Sequence, residues 1–135
     1  MAKLTLTRAF ADYGATLINP RWSCSEIASD KSLVFSGWDH LLNHDGDRLY
    51  YEDRLSRWTA NPLGRERLRD HLTAARSNKP RIRLIIAAAN NQPAVDAGEG
   101  SRIPKTFIRR NDLVGELTLF DDDRFVFDFH TSGAQ

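Results

Sequence analysis

A small α+β domain, built on a mixed, curved sheet or barrel with two flanking helices, is the fold class this sequence predicts. Three features carry it: a central segment with clear helical periodicity, an apolar run of strand length directly after it, and a closing segment whose side chains alternate strictly. Their order is neither the regular βα alternation of a doubly wound sheet nor an all-β sandwich.

The elements follow in chain order. Leu6, Phe10 and Tyr13 recur at i, i+4 and i+7, and Gly14 stands where a left-handed C-terminal cap belongs, so the chain opens with a short amphipathic helix. Arg21 to Ala28 and Ser32 to Trp38 are two strand-length runs separated by Ser29, Asp30 and Lys31, which predicts a hairpin. His44, Asp45, Gly46 and Asp47 read as a turn, and Leu49 to Trp58 as a third strand. Asn61 caps the central helix, Pro62 suits its first position, and Leu68, Leu72 and Ala75 share one face until Lys79 and Pro80 end it. Ile82 to Ala89 does not alternate and reads as a strand buried on both faces. Asn90 to Thr106, with Pro93, Gly98, Gly100 and Pro104, is too long for an ordinary connection and reads as disorder or a functional lid. Leu113 to Phe120 and Arg124 to His130 form the closing hairpin, with Phe125, Phe127 and Phe129 on one face.

With 135 residues, the chain is long enough to bury one core without cross-links, so a single domain over residues 1–135 is expected. Cys24 is the only cysteine, and no apolar run approaches the length that spans a bilayer; a cytoplasmic protein with no membrane partner is the expectation. The formal net charge of +1 excludes a generally polycationic binder, but it conceals segregation. Residues 54–83 carry +7, and Arg102, Lys105, Arg109 and Arg110 add +4, against −3 over residues 1–53 and −5 over residues 111–135. Only four of the 19 basic residues are lysine, and guanidinium groups pair bidentately with phosphate.

Two constellations follow. Arg65, Arg69 and Arg76 form a stripe opposite the apolar face of the central helix, the helix start at Asn61 offers free N–H groups, and Arg109 and Arg110 extend the basic surface; together they are candidate phosphate contacts. The competing reading is a solvated helix face whose arginines meet the acidic segments. Trp22, Trp38 and Trp58 lie near strand ends, where flat aromatic walls suit an unpaired or flipped base, with Ser23, Ser25 and Asp39 to read its edge. The competing reading buries all three tryptophans in the core.

Enzymatic signals are sparse. His40 and His44 stand four apart beside Asp39, Asp45 and Asp47, which would place two imidazoles together if a helical turn formed there, but no glutamate lies between them. There is no G-x-S-x-G, and Gly98, Glu99, Gly100 lacks the lysine and following helix of a phosphate loop. No metal or cofactor is expected.

Asn19, Pro20, Arg21, Trp22, Ser23 leading to Val34, Phe35, Ser36, Gly37, Trp38, then Gly64, Arg65, Glu66, Arg67, Leu68 opening the helix, give an element order that resembles the PUA-like group of small nucleic-acid readers, including the EVE and YTH modules. That resemblance implies a curved sheet or barrel and an aromatic pocket for a modified base. The sequence therefore predicts a non-enzymatic module that binds DNA or RNA. An accessory protein from a phage or mobile element that binds a host protein is the alternative, and a small metal-dependent hydrolase using His40, His44 and Asp39 comes third.

Overall fold

The computed structural model describes residues 5–19, 23–59, 61–89 and 105–131, which run as α1 (Leu6–Asp12), β1 (Ser25–Ile27), β2 (Leu33–Trp38), β3 (Leu42–Asp45), β4 (Arg48–Arg54), α2 (Pro62–Asn78), β5 (Ile82–Ala89), β6 (Lys105–Phe120) and β7 (Arg124–Thr131). Short 3-10 turns at Asp39–Leu41 and Leu55–Arg57 link β2 to β3 and β4 to α2. The strands form one mixed sheet in the order β1-β2-β5-β6-β7-β4-β3, in which β2 and β5 are parallel and every other pair is antiparallel. The α+β class with a mixed sheet and two helices is thus the observed fold.

Local chemistry sets the helix ends. Thr5 caps α1 by accepting the Arg8 N–H, and Gly14, at φ 83°, turns the chain out of the helix as a residue without Cβ can. In α2 the Asn61 side chain accepts the Gly64 N–H at 3.1 Å, Pro62 occupies the first turn, and Lys79 ends the helix in the left-handed region.

The sheet is strongly curled. Phe35 on β2 packs 5.1 Å from Tyr51 on β4 and 5.1 Å from Phe127 on β7, although three strands separate β2 from β4 in the sheet order. The Trp38 N–H donates to Tyr51 Oη at 2.9 Å across the same gap. Gly37 permits this closure, because a Cβ there would lie 2.6 Å from the Tyr51 ring. Leu68, Leu72 and Ala75 of α2 join Leu33, Phe35, Leu84, Ile86, Phe125, Phe127 and Phe129 in the core on the inner face. Burying the two leucines contributes about 2–3 kcal/mol each. On the outer face, α1 covers β2 and β5 with Ala9 and Phe10 against Val34 and Ile85.

Most expected elements are present with altered limits. The first hairpin forms, but β1 keeps only Ser25–Ile27 of the run from Arg21 to Ala28. The expected third strand ends at Arg54, and its last residues form the 3-10 turn. His44 and Asp45, expected in a turn, belong to the edge strand β3; with one side unpaired and exposed residues, it has no apolar alternation to reveal it. The strand β6 begins at Lys105 rather than Leu113, because Lys105 to Arg110 pair with the buried β5 despite their polar composition. Residues 90–104 of the expected long loop, and Trp22, lie outside the described residues.

Candidate nucleic-acid interface

The expected base pocket does not assemble from the described residues assigned to it. Trp58 is a core residue, 8% exposed, and its indole N–H donates to Asp53 at 3.1 Å, so its ring offers no open wall for stacking. Trp38 is half-buried and alternates with Phe35 and Gly37, which places it on the outer face of β2, away from the cluster that holds Trp58. Ser23 and Ser25 are buried: Ser23 Oγ accepts the Asn19 N–H at 3.1 Å, and Ser25 Oγ lies 2.7 Å from His71 Nδ1. Their hydroxyls serve the fold rather than a base edge. Asp39 is exposed in the 3-10 turn after β2.

The helical arginine stripe exists, but it is neutralised. Arg65 and Arg69 pair with Glu66 at 3.0 and 3.4 Å, Arg69 also donates to the Asp122 carbonyl, and Arg76 pairs with Asp122 at 3.0 Å and lies over the Phe120 ring. The acidic turn between β6 and β7 folds against α2, so these guanidinium groups already hold carboxylates and carbonyls. Asn61 likewise uses its side chain as the helix cap, which places an acceptor where an anion was expected.

Beneath α2 lies a buried polar network that the sequence reading did not anticipate. Glu26, 4% exposed on β1, takes a two-point pair from Arg67, and Asp53, 7% exposed, accepts Arg57, the Trp58 indole and the Arg54 N–H. Burial, with Arg67 nearby, pushes His71 below the usual histidine range. Burial also pushes the Cys24 thiol up, helped by Asp53 and Glu26, so it stays protonated and is no nucleophile near neutral pH. Asn43, Tyr50, Glu52, Asp53, Arg54 and Arg57 line a cleft of about 370 Å³, where Arg54 and Arg57 pair with Asp123 and Asp53. His40 and His44 fall on different elements, a 3-10 turn and a strand, so the helical juxtaposition they would need is absent. Among the described residues, no three His, Cys, Asp or Glu side chains are grouped to hold a metal ion.

The outer face of α1, β5 and β6 differs. The Arg83 and Arg109 guanidinium carbons lie 4.8 and 5.8 Å from the Tyr13 ring centroid. Both Nε atoms are buried and without a hydrogen-bond partner among the described residues; Arg109 Nε is 3.2 Å from Asp12 Oδ2, close enough for an ion pair but not aligned for a hydrogen bond. Burial raises the Tyr13 hydroxyl, the two arginines oppose the rise, and the hydroxyl donates to the Leu84 carbonyl at 3.2 Å. Arg8 shares Asp12 with Arg109, Arg110 pairs with Asp112, and Arg81 and Arg83 act on Asp30. Arginines therefore outnumber acidic groups here: Arg8, Arg81, Arg83, Arg109 and Arg110 against Asp12, Asp30 and Asp112.

Of the expected phosphate contacts, Arg109 and Arg110 belong to this face, while Arg65, Arg69 and Arg76 are on α2. Tyr13 and Arg83 were missed as site residues. The available signal was Arg83 itself, a charged residue one position inside an apolar strand, which marks one face of β5 as partly solvated. No family model, curated protein or solved structure matches this chain.

Proposed function

We propose that this chain is a non-enzymatic nucleic-acid-binding module that contacts phosphates through the α1–β5–β6 face rather than through α2. The observation that carries this reading is the pair of arginines flanking Tyr13, whose Nε groups are unsatisfied and whose surroundings hold more guanidinium groups than carboxylates. A buried donor without a partner costs about 1–3 kcal/mol, and a neighbouring acidic ligand that draws the guanidinium group outward offsets that cost. Tyr13 holds the arginines in place beforehand, so less side-chain entropy is lost on binding. The curled mixed sheet with α2 in its concavity supports a PUA-like reading of the architecture. The lone buried cysteine supports a cytoplasmic setting.

Fluorescence anisotropy of labelled oligonucleotides tests the proposal. Binding should weaken steeply between about 50 and 200 mM salt, as phosphate contacts release counterions. The double variant Arg83→Ala/Arg109→Ala should lose that binding, whereas the triple variant Arg65→Ala/Arg69→Ala/Arg76→Ala should keep it. Absent or salt-insensitive binding would sink the reading.

A further inference from the structure

We infer that the ligand of the α1–β5–β6 face is single-stranded rather than duplex nucleic acid, with unpaired bases stacked on Trp38 and Phe107; this rests on the nucleic-acid reading above. The sheet register places the two rings. Trp38 on β2 is paired with Ala87 on β5, and Ala87 with Phe107 on β6, so all three occupy one row across the outer face. The next row holds Ser36, Ile85 and Arg109.

Two aromatic residues thus stand about 9.6 Å apart, two strand spacings, with only a methyl group between them. Both are half-buried, and Phe107 packs one side against the cluster beneath α1, so each ring is anchored and still partly open to solvent. Arg109 follows Phe107 on the same face of β6, about 6.7 Å along the strand.

Anchored aromatic rings beside a guanidinium group suit a strand whose bases are splayed: the rings take the base faces, and the arginines take the backbone. Duplex DNA keeps its bases stacked on one another and is read by a helix or a two-stranded ribbon entering a groove. This face offers neither. Its helix, α1, has seven residues and is turned inward to bury Ala9 and Phe10. The excess of arginine over acid complements a polyanion, and stacking on Trp and Phe tolerates any base.

The test uses the full chain with labelled single-stranded DNA and RNA of about 12 mixed nucleotides, and with the corresponding duplexes. Single strands should bind at least about tenfold more tightly than duplexes. Replacing either ring by alanine should weaken single-strand binding by about 5- to 100-fold, the range expected for loss of one stacked base. Trp38→Phe should retain most of the affinity, and Phe107→Leu, which keeps the apolar packing beneath it, should lose the single-strand preference with an unchanged circular-dichroism spectrum. Equal binding of duplex and single strand, or single-strand binding indifferent to Phe107→Leu, overturns the inference and leaves the nucleic-acid reading standing. Failure of every oligonucleotide to bind overturns both.

Discussion

Two surfaces of this molecule carry arginines, and they differ in what the fold places beside them. On α2, Arg65, Arg69 and Arg76 meet Glu66, Asp122 and the carbonyls of the β6–β7 turn. On the α1–β5–β6 face, Arg83 and Arg109 meet the ring of Tyr13 and keep unsatisfied donors. Nine arginines and lysines fall between residues 54 and 83, so density along the chain favours α2 as the binding surface. Binding capacity, however, depends on which guanidinium groups the fold leaves short of acceptors, and by that measure the sparser surface is the better candidate.

The largest expected effect comes from breaking a carboxylate-held arginine where it is buried. Asp53→Ala should destabilise the protein by about 3–5 kcal/mol, because it strands Arg57 and the Trp58 indole without their acceptor. Urea denaturation reads this directly, and an unchanged midpoint would show that the pair is not needed. Next, the Arg83→Ala/Arg109→Ala pair should reduce the slope of log affinity against log salt by about 1.8, or 0.9 for each lost phosphate contact on duplex. Removing the three α2 arginines should leave that slope in place; the opposite pattern would reverse the comparison.

A smaller effect concerns the inner side of α2. Burial, and then Arg67, lowers the pKa of His71, so the folded protein binds this proton less readily than the unfolded chain does. The stability this adds is fully present above the ordinary histidine value of about 6.5 and is lost as pH falls through the lower folded value. Urea midpoints measured across that window should fall in the native protein and flatten in His71→Gln. Smallest of all, Glu66→Gln with Asp122→Asn should free the α2 arginines and raise low-salt oligonucleotide affinity by less than about fivefold, since surface pairs are individually weak. A larger gain would mean that α2 is a binding surface held shut by its acids.

How much was legible beforehand depended on whether an element has a buried face. The cap at Asn61, the inward leucines of α2, the strand Ile82–Ala89 and the phenylalanines of β7 all produce periodicity, and all are where their patterns place them. The edge strand β3 and the first half of β6 produce none, because exposed strands are specified by the partners they pair with. The same blindness affected the site. Trp58 and Trp38 look alike in sequence, each beside polar neighbours, but the curl of the sheet sends one into the core and leaves the other on the outer face. The serines beside them read as base-edge donors until His71 and Asn19 are seen to occupy them.

The sequence by itself determined the α+β class, the capped central helix, the buried strand and the closing hairpin, because each rests on spacing between neighbours along the chain. It also determined that near-neutral charge conceals a basic middle and acidic ends. Only the tertiary structure decided which arginines are neutralised. Arg76 and Asp122 are 46 residues apart in the chain and 3.0 Å apart in space, whereas Arg83 and Tyr13, 70 residues apart, meet as cation and ring. Coulomb attraction and hydrogen bonding act over a few ångströms, so the assignment of charges to partners follows sheet curl and helix placement, which local spacing does not encode.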